Sequence, residues 1–325
     1  MLYLVIVTKF SSFKVATVQS RKRLTKVDEI LSSLVHLDLE GAIVDKEETP
    51  VRFGGQCDVF RAKSIKHNKA VAVKRIRAHL DGNEAFARRL AKEIGIWATL
   101  EHENVLPLWG FIFEGSSAVP SLVSEWMDYG ILPEYMEKFP RASVETCKML
   151  VGVASGLSYL HSKGIIHADL KGQNIFVSAI ESPLLADFGL SRMIVQSGTM
   201  TVSVGTMRWM ARELLTSESN CNEKTDVWAF GMVVYELLSR GQPYADLTSN
   251  TSVWRAITSG KLPAIPKASG CGNHEIFERL WNFCRLCWQD TSSRPSARGC
   301  RENIGYILQT TASPTAHTPK PAILR

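Results

Sequence analysis

The feature that most constrains the fold is a change of period partway along the chain. From about residue 50 to 76 the pattern is that of strands, in "TPVRFGG", "CDVFRAK" and "AVAVKRI", where a period of two sends alternate side chains to opposite faces. A helix follows from roughly Glu84 to Leu100. After "SLVSEWMDYG" the character turns helical, and "VETCKMLVGVASGLSYLHSKG" is the first long helix. No internal repeat is present. The chain reads as an α+β protein in two lobes: a small β-rich N-lobe (49–127) with one main helix, and a larger, mostly helical C-lobe (128–309).

Composition narrows the function classes. Hydrophobic residues make up 45% of 325, enough to bury a sizeable core and too many for wholesale disorder. The net charge of +6 is spread thinly, which reads as a solubilising surface with no nucleic-acid partner. "MLYLVIVTKF" stays apolar for only about seven residues before Lys9, against the roughly 20 needed to span a bilayer. It has neither the basic start nor the cleavage site of a signal peptide. No membrane insertion is expected. Seven cysteines is an odd count, and Cys284 and Cys287 in "FCRLCW" have no second pair at metal spacing. They read as buried thiols on a helix, in a reducing, cytoplasmic protein. The basic run "SRKRLTK" leaves the nucleus open. Residues 1–48 form an extension, partly helical in "VDEILSSLVHL", that caps the main domain. The Ser/Thr/Pro-rich tail 310–325 reads as disordered.

Several local patterns carry chemistry. On "EAFARRLAKEIGIWATL", Phe86, Leu90, Trp97 and Leu100 form one stripe, and Glu93 falls on it. A core-facing carboxylate needs a partner; at the stripe's edge it reaches water. In "VAVKRI", Val71 and Val73 share one face and Ala72, Lys74 and Ile76 the other. Lys74 is either an edge lysine or a lysine beside room for something flat. The two oddities solve each other if Lys74 meets Glu93, which leaves the lysine placed for phosphate oxygens. "RFGGQCDVF" is a Gly-Gly turn between strands, an ordinary hairpin or one lying over a nucleotide.

"NIFVSAIESPLLADFGL" reads as a further hairpin. If Ile175 pairs with Ala186, Asn174 and Asp187 face each other at its open end. They offer hard oxygen ligands for Mg²⁺ held with substrate phosphates, or else they cap strand ends. Just before them, "HADLKGQN" puts an acid, Asp169, near the same point.

In this order the elements resemble the eukaryotic protein kinase domain, from about residue 49 to 309. "VAVK" is similar to the family's β3 lysine motif, Glu93 to its αC glutamate, and "HADLKGQN" to the catalytic loop HRDLKxxN. "DFGLSR" holds the DFG motif, and "GTMRWMARE", "TDVWAFGMVVYELLSRGQPY" and "CWQDTSSRPSA" resemble the later segments. The resemblance implies ATP and Mg²⁺ as cofactors and proteins as substrates. It makes Asp169 the catalytic base, Asn174 and Asp187 the metal ligands, and Lys74 the α/β-phosphate lysine paired with Glu93. Lys171 would steady the γ-phosphate, supported by Thr206. Gly54 and Gly55 lie in the Gly-rich loop, and Val59, Ala72 and Phe176 would enclose the adenine. Glu125 to Met127 would be the hinge, with Ser124 guarding the back pocket. Asp226 would anchor the catalytic loop and Glu213 would pair with Arg294. "DLKGQN" favours serine/threonine over tyrosine substrates, and the general texture is nearest the tyrosine-kinase-like group, a setting in signal transduction.

Three departures bear on activity. Arg52 and Cys57 stand where the family usually has glycines, with Gln56 at the loop tip, so the nucleotide is gripped less closely. Arg212 replaces the proline of APE. Ala168 replaces an arginine that in many kinases binds a phosphorylated activation loop. The expected function is an active protein serine/threonine kinase whose activity does not depend on phosphate at Ser197, Thr199, Thr201 or Ser203. The alternative is a pseudokinase that binds nucleotide and acts as a scaffold.

Overall fold

A computed structural model describes residues 31–53, 57–76, 84–115, 119–188, 206–216 and 220–312. The chain divides into two compact units, one of residues up to Thr99 with Leu108–Ser124, the other of Leu100–Pro107 with the chain from Glu125 onward.

The first unit is a curled antiparallel sheet with one helix. Its strands are β1 (Ile43–Val44), β2 (Arg52–Phe53), β3 (Cys57–Ser64), β4 (Lys69–Ile76), β5 (Gly110–Ile112) and β6 (Ser121–Glu125), and its helix is α1 (Glu84–Trp97). The sheet runs β1-β3-β4-β6-β5, with β2 also on β3. Alternation behaves as the sequence dictates. Val71 and Val73 are fully buried with Phe60, Ala62, Ile112 and Val123, while Ala72, Lys74 and Ile76 are half-buried on the other face. On α1, Leu90, Ile94 and Trp97 are buried and Glu93 is half-buried.

The sheet also uses chain from before residue 49. Ile43 pairs with Ser64 and Val44 with Lys63, and Leu39 donates its N–H to Phe111 O at 3.0 Å. Leu39 is fully buried in the same apolar cluster. The close approach depends on Gly110, where a Cβ would sit 2.2 Å from Leu37 O and 2.7 Å from Leu39 Cγ. A second tie is polar. Lys46, Arg75 and Ser121 all donate to Glu114. Burial works to raise the Glu114 carboxyl, but the hydrogen bonds from Arg75, Lys46 and Ser121 outweigh it and hold the pKa at about 2.

The second unit contains α2 (Leu132–Met136), α3 (Val144–Ser162), the hairpin β7 (Ile175–Val177) and β8 (Pro183–Leu185), α4 (Glu213–Thr216), α5 (Glu223–Ser239), α6 (Asn250–Thr258), α7 (His274–Cys287) and α8 (Ala297–Ala312). Capping boxes start α3, at Ser143 and Thr146, and α5, at Asn222 and Thr225. Every α5 residue from Thr225 to Leu238 is buried, so this helix is the axis on which the unit is built. Cys284 and Cys287 are buried on α7, and the seven cysteines carry free thiols.

Three expectations are corrected. The hairpin pairs Ile175 with Leu185, not Ala186. Its turn closes through Ser178 N–H to Ser182 O at 3.0 Å, and a turn's length fixes the register of the strands it joins. Asn174 therefore lies opposite Ala186, whose N–H it accepts at 2.9 Å. Asp187 comes one residue later, in the left-handed region at φ 62°. Next, a simple boundary at 127 does not describe Leu100–Pro107, which packs in the helical unit. Leu106 and Leu185 bond at 2.8 Å, and a Cβ on Gly156 of α3 would lie 2.4 Å from Asn104 O. Finally, α8 runs to Ala312, past the expected start of the tail, with Thr310 and Thr311 back-bonded to Tyr306 and Ile307 carbonyls.

Candidate active site

The loop "HADLKGQN" follows α3 and is laid against α5. Asp226, 2% exposed, accepts three hydrogen bonds: from His167 N at 2.8 Å, Ala168 N at 2.9 Å and His161 Nε2 at 2.8 Å. A buried carboxylate with three donors has its lost hydration replaced. Ten residues on, about 15 Å along the helix axis, Glu236 accepts from Gly172 N at 2.9 Å. The same oxygen, Oε2, accepts from Trp209 Nε1 at 2.8 Å. Burial pushes the Glu236 carboxyl up to about 7 despite those donors and Lys171. The loop is thus held at two points by acids from one buried helix, both gripping main-chain N–H groups.

Between these two pins lie the candidate catalytic residues Asp169 and Lys171, with Asn174 just beyond. Lys171 Nζ reaches Asp169 Oδ2 at 2.9 Å and Thr206 Oγ1 at 3.0 Å. Asn174 Nδ2 donates to Asp169 O at 2.7 Å and Oδ2 at 2.9 Å. Asp169 is therefore oriented from two sides, by an ammonium and by an amide. With its NH₂ committed, Asn174 has its carbonyl oxygen to offer a cation. That oxygen and the Asp187 carboxylate are the hard donors that suit Mg²⁺. His167 is fully buried, its ring edge-on to Phe188 with centroids 6.3 Å apart. Neither ring nitrogen has a hydrogen-bond partner among the described residues, and burial lowers its pKa.

Phe176 lies in β7 beside the chain that follows Met127. Ile131 bridges to Phe176, and Val177 N–H donates to Gly130 O at 3.0 Å. Glu125 and Met127 are half-buried, and Ser124 is buried at the end of the sheet. In the first unit, Val59 is the register partner of Lys74, and Arg61 that of Ala72. Val59, Ala72 and Lys74 are all half-buried, as is Glu93 on α1. Gly54 and Gly55, with Gln56, lie outside the described residues, as do Ser197, Thr199, Thr201 and Ser203.

Below the loop, Glu213 and Arg294 pair at 3.0 Å, as expected from the sequence. Arg294, 4% exposed, also donates to Gln289 O at 2.8 Å. Two residues escaped the sequence reading. Arg208 is buried and donates to the carbonyls of Pro243, Tyr244 and Leu247 at 2.6–2.9 Å. Glu236 is the other. Its signal was present, a lone acid inside the apolar run "AFGMVVYELL", where a carboxylate demands donors.

These features are those of a protein kinase domain. The chain belongs to the protein kinase domain family, whose model matches residues 48–303. It is 32% identical over 227 residues to the serine/threonine-protein kinase STY46 of Arabidopsis thaliana, covering 68% of this chain and 37% of that protein. The serine/threonine-protein kinase STY17 of the same plant is 27% identical over 281 residues, 85% of this chain and 46% of its own length. Mitogen-activated protein kinase kinase kinase 13 of Bos taurus is 30% identical over 249 residues, 75% of this chain and 23% of its own length. The chain thus spans less than half the length of each of these relatives. The resemblance to serine/threonine kinases of the tyrosine-kinase-like group stands.

Proposed function

We propose that this chain is an active protein kinase that transfers the γ-phosphate of ATP, with Mg²⁺, to serine and threonine hydroxyls of proteins. One observation carries the reading: Asp169 is held by Lys171 and Asn174 while Lys171 also bonds Thr206. Phosphoryl transfer asks little covalent chemistry of a protein and much positioning. Asp169 would accept the substrate hydroxyl's proton and orient its oxygen. Lys171 would stabilise charge on the transferred group, and Lys74, paired with Glu93, would meet the other phosphates. Mg²⁺, held by Asn174 and Asp187, would neutralise phosphate charge. The relatives named as serine/threonine kinases support the choice of hydroxyl, as does "DLKGQN". The seven free thiols support a reducing, cytoplasmic setting.

A second reading, a nucleotide-binding scaffold without turnover, is favoured by Cys57. Its side chain stands in β3 opposite Ile76, where the family usually has glycine. Phosphate incorporation from Mg-ATP into a generic protein substrate separates the two, with Asp169→Asn alongside. Incorporation on serine or threonine that disappears in the variant supports the kinase. A folded, nucleotide-binding protein that incorporates nothing supports the scaffold.

A further inference from the structure

We propose that Glu236 is a positioning residue for phosphoryl transfer, its single oxygen Oε2 fastening the catalytic loop to the segment Thr206–Trp209. This inference rests on the kinase reading and adds to it a residue that touches no substrate.

The geometry closes a ring. Lys171 Nζ donates to Thr206 Oγ1 at 3.0 Å. Thr206 and Trp209 are the two ends of one 3-10 turn. Trp209 Nε1 donates to Glu236 Oε2 at 2.8 Å, and Gly172 N donates to the same oxygen at 2.9 Å. Gly172 is the neighbour of Lys171, so the circuit returns to its start. Without Glu236, the loop and the turn would keep the hydrogen bond of the lysine, a long side chain with four rotatable bonds on its stem. With it, the lysine's backbone and its hydroxyl partner are both referred to one buried point.

Two further observations fit a purpose-built contact. Glu236 is 6% exposed, and among the described residues nothing but these donors and the Lys171 charge compensates its burial. Gly172 is the other. A Cβ there would lie 2.4 Å from Pro133 Cγ and 3.1 Å from Glu236 Oε2, so a glycine is what lets the loop come this close. Because one oxygen receives both bonds, charge is not the requirement. An amide carbonyl in the same place accepts the same two donors.

The test uses the full chain and measures both kcat and KM for ATP. Glu236→Ala leaves two donors without an acceptor and should lower kcat about tenfold or more, with KM for ATP unchanged within about twofold. Glu236→Gln should recover most of the loss. Trp209→Phe keeps the ring and drops one donor. It should lower kcat several-fold on its own and nothing further in the Glu236→Ala background, since the two share one interaction. Hydrogen exchange across residues 170–175 and 206–210 supplies a readout without turnover, and both stretches should lose protection together in Glu236→Ala and Trp209→Phe. Equal kcat in wild type and Glu236→Ala, independent effects in the double variant, or no rescue by glutamine would overturn the proposal. If Glu236→Ala does not fold, Trp209→Phe decides, and unchanged kcat and unchanged exchange there reject the clasp. A wild type that transfers no phosphate sinks the kinase reading instead, and the exchange result then still decides whether Glu236 joins the two segments.

Discussion

Ala168 donates its backbone N–H to Asp226 Oδ1 at 2.9 Å from a left-handed conformation, φ 65°. An alanine pays about 1 kcal/mol to stand there, and Asp226 is what holds it. Ala168→Gly should therefore raise stability by about 0.5–1 kcal/mol. Asp226→Ala, which orphans three donors, should cost about 3 kcal/mol or more. Guanidinium unfolding midpoints check both. A destabilised glycine variant would mean the loop sets the φ without strain.

Leu39 and Gly110 make a second prediction. Leu39→Ala empties a fully buried site and should cost about 3 kcal/mol. Gly110→Ala should also destabilise, since its methyl would collide with Leu37 O. Deleting residues 1–47 keeps the whole family-matched segment 48–303, yet removes Leu39, β1 and Lys46. The shortened chain should melt at a lower temperature than the full one. An equal Tm would show that the extension is dispensable.

Stability should respond to pH in two opposite ways. Glu114 has a folded pKa of about 2 against an ordinary 4.5. Its contribution is present above 4.5 and lost as pH falls from there towards 2. Glu236, at about 7 against 4.5, has the reverse sign. Its contribution is full below 4.5 and lost as pH rises through 7. In urea unfolding series, Glu114→Gln should flatten the acid limb and Glu236→Gln the limb near neutrality. A variant whose pH profile overlays the wild type would refute the corresponding assignment.

Ala168 also bears on regulation. The resemblance to kinases implies that phosphate on residues 197–203 would meet no guanidinium at this position. Replacing Ser197, Thr199, Thr201 and Ser203 together by alanine should leave most of the kinase activity. Ala168→Arg should make activity sensitive to phosphatase treatment. A loss of more than about tenfold in the fourfold variant would count against this reading.

The strands and long helices were legible because burial follows a period. Val71 and Val73 could be assigned to the core from alternation alone, and α3 ran as its spacing implied. The loop "HADLKGQN" was legible for a different reason, since so many polar groups at fixed spacing have few structural uses. What escaped the sequence was long-range. The β7–β8 register turned on the length of a turn, and one residue of error moved Asp187 off Asn174. Leu39 looked like part of an extension because the slot that receives it is made by Gly110, some 70 residues away. Glu236 was hidden in an apolar run, and its donors, Gly172 and Trp209, come from separate stretches of chain.

Asp226 and Glu236 of α5 grip the loop "HADLKGQN" by its main chain, not by its side chains. The loop's path is therefore set through its main chain, and what position 168 can carry is limited by its left-handed φ of 65°, which disfavours β-branched residues and bars proline. An unbranched side chain there can keep the main-chain hydrogen bond to Asp226. Ala168→Arg should therefore add a guanidinium to the loop while the hydrogen bonds of Asp169 and Lys171 stay in place.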